Sequence, residues 1–221
     1  MTLFERLKAD AAAEWRSYVD HDFVRALGDG SLPEAAFRSY LVQDYLFLIQ
    51  FARAYGLAVY KGGRLSDMRA AAATLHAILD VEMDLHVRVC AQWGLTERDL
   101  EAAEEGGACV AYTRFVLDAG LRGDLLDLLT ALSPCVVGYA EIGAALARGG
   151  VAADNPYRSW IEEYAGSAYQ QIAESARATL DRLGEERLTL TRYAELAKLF
   201  AAASRLEAAF WQAGLDAAAA R

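Results

Sequence analysis

Proline is scarce in this chain. Three occur in 221 residues, at Pro33, Pro134 and Pro156, each at a place where a helix could begin. Cysteine is equally scarce. Cys90, Cys109 and Cys135 show no C-x-x-C and no paired spacing, so no disulfide framework is indicated and reduced thiols are expected. No segment reads as long and apolar enough to cross a bilayer, so no membrane span is expected. Met1 to Tyr18 carries Glu5, Arg6, Lys8, Asp10 and Glu14 instead of the apolar core of a secretory leader, and a cytoplasmic location is expected. Positive charge is in deficit: 22 Lys and Arg stand against 31 Asp and Glu, a net charge of −9, which opposes nucleic acid or an anionic membrane surface as the partner. There is no persuasive strand alternation, no internal repeat, no GxxxxGK[ST], no GxSxG, and no GxGxxG after a strand.

What remains is rich in Ala, Leu, Glu and Arg, all good helix formers, and 55% of residues are hydrophobic. Breaks fall at Gly28-Asp29-Gly30, Gly62-Gly63, Gly106-Gly107 and Gly149-Gly150, with Asn155-Pro156 beyond. The periodicity predicts helices near 2–20, 33–60, 67–93, 97–105, 108–121, 124–147, 157–183 and 190–213. Short connections favour antiparallel neighbours. The expectation is one all-α domain over 1–221, a bundle of about seven to eight helices, with no linker to a second domain.

Polar residues on apolar stripes carry the chemical information. In the second long helix the inward stripe reads Phe37, Leu41, Asp44, Phe47, Leu48, Phe51, Tyr55, and in the last it reads Leu196, Phe200, Ala203, Glu207, Phe210. A buried carboxylate is costly without a partner. Asp44 and Glu207 therefore require either an internal ion pair or hydrogen bond, or a polar pocket in which one binds a ring nitrogen or amine and the other moves protons. Cys135 follows Pro134 at what reads as a helix start or a kink. Near free helix N–H groups its thiolate would be stabilised, with Tyr139 one turn on along the same face; the alternative is an inert core thiol. Tyr112, Tyr139 and Tyr164 are core aromatics or pocket hydroxyls on the same reasoning.

A rival site lies on the third long helix, where Leu75, Leu79, Glu82, His86, Val89 and Trp93 share a face. Glu82 and His86 could ligate iron or zinc, but the chain has only His21, His76 and His86, and His76 falls off the stripe. A buried Glu82–His86 hydrogen bond is the expected arrangement. His21 reads as a helix-end histidine, with no accompanying haem signature.

In order and spacing the chain resembles the TenA family, also called thiaminase II or aminopyrimidine aminohydrolase. The resemblance rests on His21-Asp22-Phe23-Val24 leading to Gly28-Asp29-Gly30-Ser31-Leu32-Pro33, then on Phe37-x-x-Tyr40-Leu41-x-Gln43-Asp44-Tyr45 and Glu82-Met83-Asp84-Leu85-His86. It continues through Pro134-Cys135-x-x-Gly138-Tyr139-x-Glu141-Ile142-Gly143, Trp160-Ile161-x-x-Tyr164 and Arg205-Leu206-Glu207-x-x-Phe210-Trp211. The resemblance implies a haem-oxygenase-like bundle, a homotetramer, and no haem, metal or other cofactor. It also implies salvage of thiamin-derived pyrimidine: 4-amino-5-aminomethyl-2-methylpyrimidine hydrolysed to the 5-hydroxymethyl compound and ammonia, with thiamin split to the same pyrimidine.

The family roles then fall residue by residue. Cys135 matches the nucleophile of the cysteine-bearing branch, and Glu207 the carboxylate that manages protons. Asp44 matches the ligand of the ring nitrogen and 4-amino group. Tyr139 is implied beside the thiol, and Phe47, Tyr112, Tyr164 and Phe210 in the substrate pocket. Phe47 stands where some members carry Tyr, so a pocket hydroxyl is missing, and Val136 and Val137 stand where some carry bulky aromatics. Two rival functions remain open from sequence: a metal-dependent oxidase using Glu82, His86 and Glu141, and a non-catalytic pyrimidine-binding or regulatory protein.

Overall fold

A computed structural model describes residues 1–220, and all its regular elements among them are helical. Among the described residues twelve α-helices replace the seven or eight expected, because the backbone splits three predicted helices and forms one more. The chain divides into two compact units, the first comprising Met1–Leu32 with Leu129–Gln212 and the second Pro33–Leu128 with the residues from 213 onward.

In the first unit, α1 (Leu3–Asp10) opens on a capping box in which Thr2 accepts from the Glu5 amide and Glu5 from the Thr2 amide, satisfying two helix-start donors. A non-helical Ala11 separates it from α2 (Ala12–Val19). An unanticipated short helix follows, α3 (Asp22–Asp29). His21 is its N-cap, with Nδ1 accepting from the Phe23 amide at 3.2 Å, so this histidine is the helix-end residue expected. The far end of α3 is held by Asn155, whose Nδ2 donates to the carbonyls of Leu27 and Gly28 at 3.1 and 2.9 Å. The predicted helix 157–183 breaks at Gly166, whose extended backbone ends α10 (Arg158–Ala165) and begins α11 (Ser167–Arg187). Rings of Phe4, Trp15, Tyr18, Phe23, Phe200 and Trp211 fill the interior.

The second unit is built around α4 (Glu34–Lys61), which packs against α5 (Leu65–Ala77), α6 (Met83–Gln92) and α8 (Gly107–Arg122). A one-turn helix α7 (Glu97–Glu101) leads into a loop fastened to α4 by Gln43, which accepts from the Gly106 amide at 2.7 Å and donates to the Glu104 carbonyl at 3.0 Å. Between α5 and α6 lies a π-helical turn, Ile78–Glu82, closed by the Met83 amide on the Ile78 carbonyl. Its wider turn absorbs one extra residue. The predicted inward stripe is therefore out of register above it: Leu79 is 51% exposed, and the buried positions are Asp67, Ala71, Ile78, His86 and Cys90.

The two longest remaining helices are α9 (Leu125–Gly149) and α12 (Leu190–Ala219). Contrary to the sequence expectation, α9 is long and apolar enough to cross a membrane, with a mean hydropathy of 1.5 over its most apolar window. That window is 78% buried within the protein, so the apolar surface is that of a core helix packed on several faces.

Candidate active site

Cys135 lies in the interior of α9, and Pro134 is an internal proline of the same helix. The helix-start reading is thereby corrected to the kink alternative. Mid-helix amides already serve the carbonyls one turn back, so no free N–H array faces the thiol. Proline withholds its own amide from the Thr130 carbonyl. The Ser133 hydroxyl donates to that carbonyl at 2.9 Å instead, and the Pro134 carbonyl accepts from the Tyr18 hydroxyl at 3.3 Å.

Cys135 differs from the other two thiols in access. Cys90 and Cys109 are fully buried, and desolvation first, then charge from Asp44 and, at Cys109, Glu105, pushes both up to about 12. Cys135 is half-buried. One turn on, the Tyr139 ring meets Tyr164 at 4.9 Å, Trp211 at 5.3 Å and Trp160 at 5.7 Å, so α9, α10 and α12 share an aromatic cluster. Close approach requires two glycines of the motif. A Cβ on Gly138 would collide with the Tyr18 ring, and one on Gly143 with the backbone of Tyr164 and Ala165. Glu207 is buried on α12, and Leu196, Phe200, Ala203 and Phe210 are buried with it, as the stripe predicted.

In the second unit every residue of the predicted α4 stripe is buried. Asp44 Oδ2 accepts from the Tyr40 hydroxyl at 3.2 Å and lies 3.5 Å from His86 Nδ1, while His86 Nε2 donates to the Leu41 carbonyl at 2.8 Å. His86 thus serves α4 through Leu41 and Asp44, a pairing that sequence reasoning missed in favour of Glu82. The Tyr40-x-x-x-Asp44 spacing was the available signal. Burial pushes the Asp44 carboxyl up; the His86 charge and the Tyr40 hydrogen bond act against it. Phe47 and Tyr112 meet at 5.3 Å. The structure therefore brings together Tyr139 with Tyr164, and Phe47 with Tyr112, of the residues singled out from sequence.

The metal-oxidase reading finds little support in these side chains. Glu141 takes Lys8 Nζ at 2.7 and 2.8 Å and the Trp15 indole N–H at 3.2 Å. Among the described residues, no group of three or more His, Cys, Asp and Glu side chains is arranged to hold a metal ion.

The family model of the TENA/THI-4/PQQC family matches residues 8–217. An aminopyrimidine aminohydrolase of Halalkalibacterium halodurans is 38% identical over 212 residues, covering 96% of this chain and 94% of that protein. A TenA family transcription regulator from Silicibacter sp. superposes with a TM-score of 0.91 at 44% identity, covering 96% of both chains. A domain with a heme oxygenase-like fold from Shewanella denitrificans superposes with a TM-score of 0.73 at 14% identity, over 96% of this chain and 92% of that one. The all-α bundle expected from sequence is thus a heme oxygenase-like fold, and the chain belongs to the TENA/THI-4/PQQC family.

Proposed function

We propose that this protein is an aminopyrimidine aminohydrolase acting in salvage of the thiamin pyrimidine. Its substrate is 4-amino-5-aminomethyl-2-methylpyrimidine, and thiamin is a second substrate yielding the same hydroxymethyl product. The observation that carries the reading is the contrast among the thiols within a family whose named relatives include aminohydrolases: Cys90 and Cys109 are buried and hard to ionise, whereas Cys135 is accessible.

The Cys135 thiolate adds to the electron-poor pyrimidine ring, forming a carbon–sulfur bond and pushing electrons toward the exocyclic methylene. The amine departs with a proton from Glu207. Water then adds to the methylene and returns its proton to the carboxylate; carbon–sulfur cleavage restores the aromatic ring and the thiolate. Asp44 binds the ring nitrogen and 4-amino edge. Tyr139 acts beside the thiol, and Phe47, Tyr112, Tyr164 and Phe210 hold the ring. No cofactor enters this sequence of steps.

The reading further takes the chain as one catalytic domain, matched by the family model through both units, in a cytoplasmic homotetramer. The net charge of −9 supports a small-molecule partner over nucleic acid or membrane. The test is incubation of wild type and Cys135→Ser with each compound, with chromatographic measurement of the hydroxymethyl pyrimidine. Product from wild type alone is expected. Equal turnover by the variant would remove Cys135 as nucleophile, and ligand binding without turnover by wild type would favour a non-catalytic pyrimidine binder.

A further inference from the structure

The turn that carries Cys135 contains two residues that a helix interior disfavours, Pro134 and Gly138, and both meet the same side chain. Tyr18 of α2 is fully buried, its ring flanked by Trp15 at 5.8 Å and Trp211 at 6.4 Å. Its hydroxyl donates to the Pro134 carbonyl at 3.3 Å. Its ring fills the space a side chain at position 138 would need: a Cβ on Gly138 would lie 2.6 Å from Oη and 2.7 Å from Cζ. The ring is therefore seated on the turn from Pro134 to Gly138, with the thiol one residue inside it.

Such seating matters because proline weakens this stretch of α9. A helix that loses one rung of its ladder bends at that rung. The Ser133 hydroxyl repairs the near side by donating to the Thr130 carbonyl at 2.9 Å. Tyr18 holds the far side. The Pro134 carbonyl and the Cys135 amide belong to one planar peptide unit, so a donor on that carbonyl fixes the plane from which the cysteine Cα departs. The sulfur then moves chiefly by rotation about its own χ1. Filling the interior accounts for the ring of Tyr18 but not for its hydroxyl, which takes the carbonyl joined to Cys135.

We propose that Tyr18 is a positioning residue for the Cys135 thiol: its hydroxyl pins the Pro134–Cys135 peptide, and its ring against Gly138 stops the kinked turn from relaxing. The proposal rests on the reading of Cys135 as the nucleophile. Attack on a ring carbon requires the sulfur at a set distance and angle, and a displacement of about 1 Å can cost about 10²-fold in rate. Alkylation by a small, mobile reagent makes no such demand.

The test compares Tyr18→Phe with Tyr157→Phe. Each removes one buried hydroxyl from a backbone carbonyl, since Tyr157 donates to the Leu32 carbonyl. Both variants should lose similar stability in a denaturant titration. Tyr18→Phe alone should lower kcat for the aminomethyl pyrimidine by about tenfold or more, with KM unchanged. Its Cys135 should react with iodoacetamide at the wild-type rate across pH, as read by mass spectrometry. Wild-type kcat in Tyr18→Phe, or an equal loss in Tyr157→Phe, would overturn the proposal. A parallel fall in alkylation would also overturn it, by making the hydroxyl's effect one on ionisation or access.

A crystal structure of Tyr18→Phe tests the same point without substrate. The Cys135 Sγ should be displaced from its wild-type position, and exact superposition would overturn the proposal. A displaced sulfur in a protein whose wild type turns over neither compound would sink the aminohydrolase reading while leaving Tyr18 as the anchor of the thiol.

Discussion

The two units differ in what they bury. The first surrounds its interior with rings, and Glu207 is the one acid among its buried polar residues, beside Thr130, Ser133, Asn155 and Ser204. The second buries Asp44, Asp67 and His86 together with the thiols of Cys90 and Cys109. In the second unit, titratable groups hold one another in check: Asp44 helps suppress ionisation of both cysteines, and His86 opposes the rise at Asp44. In the first, an accessible thiol stands in a helix whose next turn is walled by aromatic rings. Low-dielectric burial thus has two uses here. It silences nucleophiles in one region and shapes apolar walls in the other.

The sharpest way to break this contrast is to exchange the thiols' fates. Cys135→Ser should lower turnover by about 10³-fold or more while leaving the hydroxymethyl product bound. Alkylation with iodoacetamide, followed by mass spectrometry, should label Cys135 before Cys90 or Cys109, because the latter two are both buried and held at about 12. Early labelling of Cys90 or Cys109 would dissolve the distinction.

Glu207→Gln tests the acid of the aromatic unit and should reduce turnover by about 10²-fold or more, read in steady-state kinetics. Gly143→Ala probes the wall itself. The added methyl meets the backbone of Tyr164 and Ala165, and a loss of about 1–3 kcal/mol is expected in a denaturant titration.

Asp44→Asn should have the smallest effect on the folded state, and of the opposite sign. Because burial raises the Asp44 pKa above 3.8, the folded protein binds this proton more tightly than the unfolded chain. Stability from Asp44 is therefore present at low pH and lost as pH rises through the raised value. The asparagine variant escapes that loss. Its melting temperature should exceed wild type by a few degrees at neutral pH, with the margin closing toward pH 4, while its binding of the aminopyrimidine weakens. A variant that melts lower than wild type at neutral pH would mean that the His86 and Tyr40 contacts outweigh desolvation.

Much of this is legible in the sequence. The α4 and α12 stripes, with a carboxylate in the middle of each, follow directly from helical periodicity, and both acids are buried. The breaks at Ala11 and Gly166 were hidden because one residue with non-helical angles scarcely disturbs a pattern of good helix formers. Pro134 suggested a helix beginning, yet Ser133 and Tyr18 supply compensating hydrogen bonds that let α9 continue through it. The apolar character of α9 was underestimated because charged residues interrupt it, Asp127 in its first turn, Glu141 within it and Arg148 in its last turn. Asp44 was correctly placed inside, but its partner depended on a π turn that a plain helical wheel does not contain.

That turn also bears on how this chain is matched to others. Five residues close the loop from Ile78 to Met83 where an α-helix uses four, so the helix carries one letter more than its length in turns requires. Removing one residue between 78 and 82 would rotate all that precedes it by about 100° relative to His86 without interrupting the helix. A relative with an uninterrupted α-helix here must be aligned with a one-residue gap. Aligned without one, the counterpart of Ile78 would be read opposite Leu79, and a buried position would be mistaken for an exposed one.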